Sequence, residues 1–386
     1  MRLLLTLLLL LTGTTGCDPC RDLDPRFART DVRTIPSDAP VQLEVQVSLP
    51  ALSVRLGEAF TPGSSGPVRW TGLSLERTSG LAAAVSIVVD EGGVERAGSV
   101  VIPVAPKAQP KGPGVAVFLE PTGPAEVRFD GLADAARARL DALAQRPEAW
   151  LTAPALDVLG WFREDAFLPL QALSVSAGKG VLILQLATGL QAPPLTVEDS
   201  QRRPGMADDV TISMGLGLLT ALHAGGWLPL PPRGPSGATE ATPTWPTPPD
   251  GWQVRAGVPA PGERDLRVPW IARRTDTCSF VAVDAEVKPG IALGHLGWHP
   301  PQKLTVTERR GDSESLPDHV VDDLTRAALA SLAAPLSPPP VLGPATVHGV
   351  RGPLRLVRLE GDAVMLDGLL VPAKARPKRG TPPRGK

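Results

Sequence analysis

The stretch VTISMGLGLLTALHAGGWL, residues 210–228, decides the fold. Its first residues alternate between apolar and polar side chains, which is typical of a half-buried β-strand. The segment from Met214 to Ala224 is rich in leucine with the spacing of a helix, and Gly225-Gly226 is a favourable place for that helix to end. We therefore expect a short strand that leads directly into an apolar helix.

The first half of the chain has the same beginning. An alternating run from Val41 to Val47 predicts a strand, and Pro50, which is favourable in a first helical turn, opens an apolar helical segment that extends to Phe60. In both halves several strand-like runs, a second helix and a closing pair of strands follow. In the first half the second helix is expected at 130–145, with Asp130 as its N-cap, and in the second half at 317–333. The first half has a further expected helical segment at Ala155–Arg163.

This shared order predicts an internal duplication. The second half is longer, and a proline-rich stretch at 229–250 accounts for most of the difference, which makes that stretch an inserted loop. The loop is either a lid over a binding site or a plain insertion. The predicted domains are therefore 41–195 and 208–372.

The strand that runs into a leucine-rich helix ending in Gly-Trp-Leu resembles the opening of a domain of the tubular lipid-binding (TULIP, BPI-like) superfamily. The resemblance covers about residues 41–372. It implies an α+β fold of two tandem repeats, each a bent antiparallel sheet wrapped around amphipathic helices, with an apolar tunnel for acyl chains. The apolar wall is then expected to include Leu52, Leu56, Phe60, Leu216, Leu219 and Leu222. The alternative for each of these side chains is a place in a filled core without ligand.

The first twenty residues have the pattern of a secretory signal. Arg2 is positively charged, Leu3–Leu11 is apolar, and a run of small residues leads to Cys17. A small residue directly before a cysteine resembles the lipobox of bacterial lipoproteins. The resemblance implies removal of residues 1–16, acylation of Cys17, and a lipid-anchored protein on the periplasmic face of the bacterial cell envelope. A plain secreted protein and an uncleaved anchor are the alternatives, and the choice between inner and outer membrane stays open.

Three cysteines occur in the 386 residues. If Cys17 carries lipid, Cys20 and Cys278 remain as an even pair in an oxidising compartment, where they form either a disulfide or two free thiols. A Cys20–Cys278 disulfide would tie the charged tether, residues 17–40, to the second half of the chain. No spacing of cysteine and histidine fits zinc, so we expect no metal.

Composition excludes some classes of function. The net charge is −1, which argues against a dedicated nucleic-acid binder. The chain contains no nucleophile elbow, phosphate-binding loop, zinc-protease motif or dinucleotide fingerprint, so we expect neither an enzyme nor a cofactor. The basic segment 373–386 is expected to be a disordered tail that either contacts anionic polymers or lipids of the envelope or is simply solvated.

Two hypotheses of function follow. In the first, an envelope-anchored lipoprotein binds lipid or other apolar ligands in a tunnel. In the second, a non-catalytic structural or scaffolding lipoprotein uses the same fold with a filled core. The volume of the cavity between helix and sheet distinguishes them, because leucine lines tunnels and fills cores equally well.

Overall fold

The computed structural model describes residues 34–78, 80–158, 160–163, 166–195, 209–224, 228–229, 248–256, 260–261, 266–274, 276–292, 295–299, 304–311, 314, 316–333, 342–343, 354–360 and 363–368. The chain forms two compact units that alternate along the sequence. Of the segments that contain described residues, the larger unit comprises Arg29–Pro243, Pro289–Trp298 and Pro335–Lys386, and the smaller one Thr244–Lys288 and His299–Ala334. The domain boundaries expected from the sequence stay a prediction.

Most elements belong to the larger unit. In chain order they are β1 (Leu43–Ser48), α1 (Leu49–Ala59), β2 (Gly63–Ser65), β3 (Val68–Arg77), β4 (Leu81–Glu91), β5 (Val94–Lys111), β6 (Gly114–Pro121), β7 (Glu126–Arg128), α2 (Asp134–Ala144), a 3₁₀ turn (Pro147–Ala149), β8 (Leu156–Val158), β9 (Trp161–Arg163), β10 (Ala166–Phe167), β11 (Leu170–Gly178), β12 (Val181–Thr188), β13 (Val210–Gly215), α3 (Leu216–Ala224) and β14 (Leu228–Pro229).

The remaining elements alternate between the units. The smaller unit contains β15 (Gln253–Ala256), β16 (Ala260–Pro261), β17 (Leu266–Arg274), β18 (Ser279–Val287), β21 (Leu304–Arg310) and α4 (Asp318–Ala333). The larger unit is completed by β19 (Pro289–Ala292), β20 (His295–Trp298), β22 (Leu342–Gly343), β23 (Leu354–Glu360) and β24 (Ala363–Gly368). Helices on antiparallel sheets make this an α+β fold, as predicted.

A six-stranded antiparallel sheet at the centre of the larger unit joins the two halves of the sequence. Its order is β11-β12-β1-β13-β24-β23, so each half contributes its opening strand and its closing hairpin. The register repeats as well. Ser48, the last residue of β1, pairs with Val181, and Gly215, the last residue of β13, pairs with Ala363. Both hairpins carry a bulge in their first strand, at residues 173 and 355.

These pairings define a local two-fold axis. Counterparts in β1 and β13 lie 167 positions apart, so Val45 corresponds to Ile212, and these two residues are also direct partners in the sheet. On either side of them Leu43 pairs with Met214 and Val47 with Val210. A two-fold rotation about the Val45–Ile212 pair places β1 on β13 and β13 on β1, which is the relation expected between two copies of a duplicated unit. The duplication predicted from order and spacing is therefore confirmed in this sheet.

The two opening helices follow their strands without a linker. Leu49 corresponds to Leu216 and Leu52 to Leu219, and all four side chains are buried. Pro50 lies in the first turn of α1, as expected. In α3 an added Cβ on Gly217 would lie only 2.3 Å from Cδ of Pro193, so glycine is needed there to let the proline ring pack on the helix.

Each unit also has its own antiparallel sheet. In the larger unit the order is β2-β3-β4-β5-β6-β8-β22, and β5 pairs with β4 through its first ten residues and with β6 through its last eight. In the smaller unit the order is β15-β17-β18-β21, and α4 packs on this sheet. Phe280, Ile271 and Ala282 form a buried cluster in it, with Cys278 beside them.

Two local predictions are wrong. The segment Ala155–Arg163 forms β8 and β9 instead of a helix, because Leu156–Val158 pairs with β6 and Gly160 has a φ of 80°, which interrupts any helix. Asp130 does not cap α2, which begins at Asp134 after the N-cap Ala133. Gly131, with a φ of 67°, separates Asp130 from the helix.

Candidate functional site

A small cavity, lined mainly by apolar side chains, lies at the C-terminal end of α1, inside the larger unit. Its volume is about 160 Å³. Four buried side chains, Leu56, Leu73, Leu119 and Trp150, form its deep wall. The other lining residues are partly or largely exposed: Phe60, Thr61, Trp70, Leu151, Thr152 and Ala153. The cavity therefore has an apolar bottom and an accessible rim.

Two tryptophans shape one side of this cavity. The rings of Trp70, on β3, and Trp150, after the 3₁₀ turn, are 6.4 Å apart between centroids and inclined at 63°. This edge-to-face arrangement is a favourable one for aromatic pairs. The ring of Trp70 also covers Gly63, its direct partner in β2, where an added Cβ would lie 2.5 Å from Cζ2. The position of Trp70 is thus fixed by contacts on two sides.

Helix α1 is held against β3 by polar as well as apolar contacts. The backbone N–H of Leu75 donates a hydrogen bond of 2.8 Å to Oγ of Ser53. One turn further, an added Cβ on Gly57 would lie 3.1 Å from the carbonyl oxygen of Leu73, so the helix backbone approaches the strand closely. This close approach brings Leu56 and Phe60 to the cavity.

The six residues expected to form an apolar wall separate into two groups. Leu56 and Phe60 line the cavity. Leu52, Leu219 and Leu222 have no exposed surface and Leu216 is 4% exposed, and none of these four is among the cavity residues. Full burial means that protein atoms surround these side chains on every side. A ligand-binding role for the six leucine and phenylalanine positions stays a prediction.

The sequence did not single out Trp70, Leu73, Leu119 or Trp150. They come from β3, β6 and the segment after the 3₁₀ turn, which are far apart along the chain. Tryptophan is the one signal that could have directed attention to them, since a partly buried tryptophan is common where a surface binds apolar groups.

Helix α1 also carries a buried charge. Arg55 is 4% exposed, and its Nε and Nη2 atoms have no hydrogen-bond partner among the described residues. Burial lowers the pKa of the Arg55 guanidinium from its ordinary value, while the negative charges of Glu58 and Asp209 act in the opposite direction. An arginine remains protonated under all such conditions, so a cation is buried here.

The polar face of the central sheet holds a hydrogen-bonded network. The carboxylate of Glu44, only 6% exposed, accepts hydrogen bonds from Nε2 of Gln46 at 2.8 Å and from Nε2 of Gln185 at 3.0 Å. On the neighbouring strand β13, the hydroxyl of Thr211 donates to Oδ1 of Asp367 on β24 at 2.7 Å. These bonds satisfy the Glu44 carboxylate and the Thr211 hydroxyl, whereas Oε1 of Gln46 and Oγ of Ser213 have no hydrogen-bond partner among the described residues. They give the strands a fixed register.

Among the described residues no three His, Cys, Asp or Glu side chains are grouped so that they could hold a metal ion. Within the same ranges no helix is long and apolar enough to cross a membrane. Cys278 is disulfide-bonded. Cys17, Cys20 and the tail 373–386 lie outside the described residues, as does most of the insertion 229–250, so the pairing with Cys20 stays a prediction.

No family model and no curated protein matches the chain. Solved structures with some similarity include P47 from Clostridium botulinum A2, with 8% identity and a TM-score of 0.32 over 85% of this chain and 97% of that one. P47 of Clostridium botulinum E1 has 7% identity and a TM-score of 0.36 over 86% and 99%. A lipopolysaccharide binding protein has 11% identity and a TM-score of 0.30 over 86% and 99%.

Proposed function

We propose that this chain is a non-catalytic lipoprotein of the bacterial cell envelope that binds lipid or other apolar ligands. The observation that carries the proposal is the apolar cavity at the end of α1, with buried leucines at its bottom and two tryptophans on one side. Apolar concave sites with a few polar groups at the rim are the usual places for small ligands.

The size of the cavity indicates which part of a ligand enters it. A volume of about 160 Å³ is close to that of an engineered cavity, about 150 Å³, that binds benzene. A drug-sized ligand fills about 300 Å³ or more. The cavity therefore takes the end of an acyl chain or one ring, and the rest of the ligand passes the exposed rim at Thr61 and Thr152. Each buried methylene contributes about 0.8 kcal/mol.

The envelope anchor rests on the N-terminal sequence. A signal with an apolar core followed by Cys17 fits acylation, which would hold the protein at a membrane surface. Anchoring at the membrane would keep the cavity near a source of acyl chains. The basic tail, residues 373–386, would add contacts with anionic lipids or polymers of the envelope.

A cavity-filling substitution tests the binding proposal. Ala153→Leu adds carbon atoms to a residue that lines the cavity, and it should weaken the binding of octyl glucoside, a neutral amphiphile, by about tenfold or more. Ala138→Leu makes the same change on the exposed side of α2 and should leave binding unchanged. Tryptophan fluorescence and calorimetry measure the affinity. Equal binding by wild type and Ala153→Leu would refute the site. Native mass spectrometry of protein extracted from membranes identifies the natural ligand.

A structural or scaffolding role is the second candidate. It is favoured by the complete burial of Leu52, Leu219 and Leu222, which indicates a filled core between the opening helices and the central sheet. If the wild-type protein binds no apolar probe and carries no lipid from the membrane, this second role is the better explanation of the fold.

A further inference from the structure

Arg55 presents an unusual pair of unpartnered donors. Its side chain is 4% exposed, and the two nitrogens without a hydrogen-bond partner are Nε and Nη2. These atoms lie on the same edge of the planar guanidinium. That edge binds both oxygens of a carboxylate or phosphate in two parallel hydrogen bonds. A buried N–H without a partner is costly, and two of them on one edge call for a group that accepts from both.

The fold itself does not require a cation at this place. Under the two-fold relation of the central sheet, residues of α1 and α3 that lie 167 positions apart are counterparts, and Arg55 corresponds to Leu222. Leu222 is completely buried. The second repeat thus fills the equivalent position with an apolar side chain. The strand–helix arrangement that both repeats share therefore does not require an arginine at this position, which carries one only in the first repeat.

The carboxylates near Arg55 leave its free edge unfilled. Glu58 and Asp209 both act on the charge of the guanidinium, but neither forms a hydrogen bond with Nε or Nη2. Glu58 lies on the exposed side of α1. With two carboxylates near one guanidinium the local formal charge is −1, so an added anion should bind through the geometry of the fork and not through long-range attraction.

We infer that Arg55 is an oxyanion-binding residue whose Nε–Nη2 edge takes a carboxylate or phosphate group. The group belongs either to the headgroup of an anionic lipid or to a free anion, and both have the same chemistry at the fork. The site does not depend on the apolar cavity. It would give the first repeat a preference for acidic ligands that the second repeat lacks.

Calorimetry with three probes tests the inference: inorganic phosphate, octyl phosphate and octyl glucoside. Arg55→Leu should weaken the binding of both phosphates by about tenfold or more, since hydrogen bonds to charged groups are worth about 1.5–3 kcal/mol. Arg55→Lys keeps the charge but loses the fork, and it should lose most of the same affinity. Arg137→Leu removes an exposed arginine from α2 and should change nothing. The affinity for octyl glucoside should be the same in all four proteins.

The probes also identify the source of the anion and separate this inference from the proposed function. Tighter binding of octyl phosphate than of inorganic phosphate supports a lipid headgroup, and equal binding supports a free anion. Phosphate binding that is absent, or that survives in Arg55→Leu, overturns the inference even where octyl glucoside binds. We expect Arg55→Leu to fold, because leucine fills the counterpart position. If it does not, Arg55→Lys decides, and undiminished phosphate binding by that variant overturns the inference.

Discussion

Gly63→Ala is the substitution that most directly tests whether the cavity wall is rigid. Gly63 pairs with Trp70 across β2 and β3, and an added Cβ would lie 2.5 Å from Cζ2 and 2.6 Å from Cε2 of the ring. Real Cβ atoms essentially never approach so closely, so the ring has to move. Forcing extra carbon into a packed site costs about 1–3 kcal/mol. Loss of the edge-to-face contact with Trp150 accounts for about 0.5–1.5 kcal/mol.

The matched control for this substitution is Gly178→Ala. Gly178 also lies in a strand, β11, and an added Cβ there would have open space around it. Alanine in place of a glycine whose backbone permits it stabilises by about 0.4–1 kcal/mol, because the unfolded chain loses freedom. Urea unfolding should therefore show Gly63→Ala less stable than wild type and Gly178→Ala equal or more stable. Near-ultraviolet circular dichroism reports separately on the packing of the two tryptophan rings.

A specific result would refute this reasoning. If Gly63→Ala matched Gly178→Ala in stability, with an unchanged near-ultraviolet spectrum and unchanged affinity for octyl glucoside, Trp70 would not be held in place by its neighbours. The cavity would then be a soft surface depression, and the main support for the binding proposal would be lost.

Three further predictions concern other parts of the chain. Burial raises the pKa of Asp157. Nζ of Lys111 donates a hydrogen bond of 3.0 Å to the Asp157 carboxylate and acts in the opposite direction, but the effect of burial is larger. The stability that the protonated carboxyl contributes is lost as pH rises from the ordinary pKa of 3.8 through the raised pKa. In urea unfolding, Asp157→Asn should therefore gain stability relative to wild type as the pH is raised through this window, and a difference that does not change with pH would contradict this. Gly217→Ala should lower the urea midpoint, although alanine normally stabilises a helix, because its Cβ meets Pro193; a higher midpoint would refute the packing argument. Wild-type protein should enter the detergent phase of Triton X-114 and Cys17→Ser the aqueous phase; wild type in the aqueous phase would exclude acylation.

The sequence predicted the fold well where local pattern and pairing agree. Alternation in Leu43–Ser48 and in Val210–Gly215 predicts strands, and the apolar residues that follow predict helices. The start of each repeat could therefore be recognised from its local sequence pattern alone. In the smaller unit, β17 extends from Leu266 to Arg274. Its nine residues carry both β-branched side chains and flanking polar ones.

Prediction failed where a distant partner decides the structure. Ala155–Arg163 is apolar enough for a buried helix, and nothing within it reveals that Leu156–Val158 completes a sheet through β6. Short apolar runs fit helix and strand equally well by periodicity alone. At Asp130 the side chain suits a helix cap, but the next residue, Gly131, adopts a left-handed φ, and no helix can begin through it.

The candidate site was only partly predictable for a similar reason. Leu56 and Phe60 were found because they follow a helical stripe, which a sequence displays directly. Trp70, Leu119 and Trp150 reach the cavity from three other segments, and no local pattern in any of these segments reveals that they converge. The buried leucines of α3 show the converse, since a broad apolar helix face predicts burial but not whether a ligand or the protein covers it.

The two repeats share the arrangement of their opening strands and closing hairpins in the central sheet, and they differ in side chains that their opening helices carry. Arg55 and Leu222 occupy equivalent positions along α1 and α3 and are both buried, but one is a cation and the other a hydrocarbon. The cavity is likewise lined only by residues between Leu56 and Ala153, all of them in the first repeat. Under the two proposals above, the cavity at the end of α1 would bind an apolar group and the unpartnered edge of Arg55 an acidic one, each independently of the other. The second repeat, whose opening helix is buried leucine at the corresponding positions, completes the central sheet that holds α1 in place.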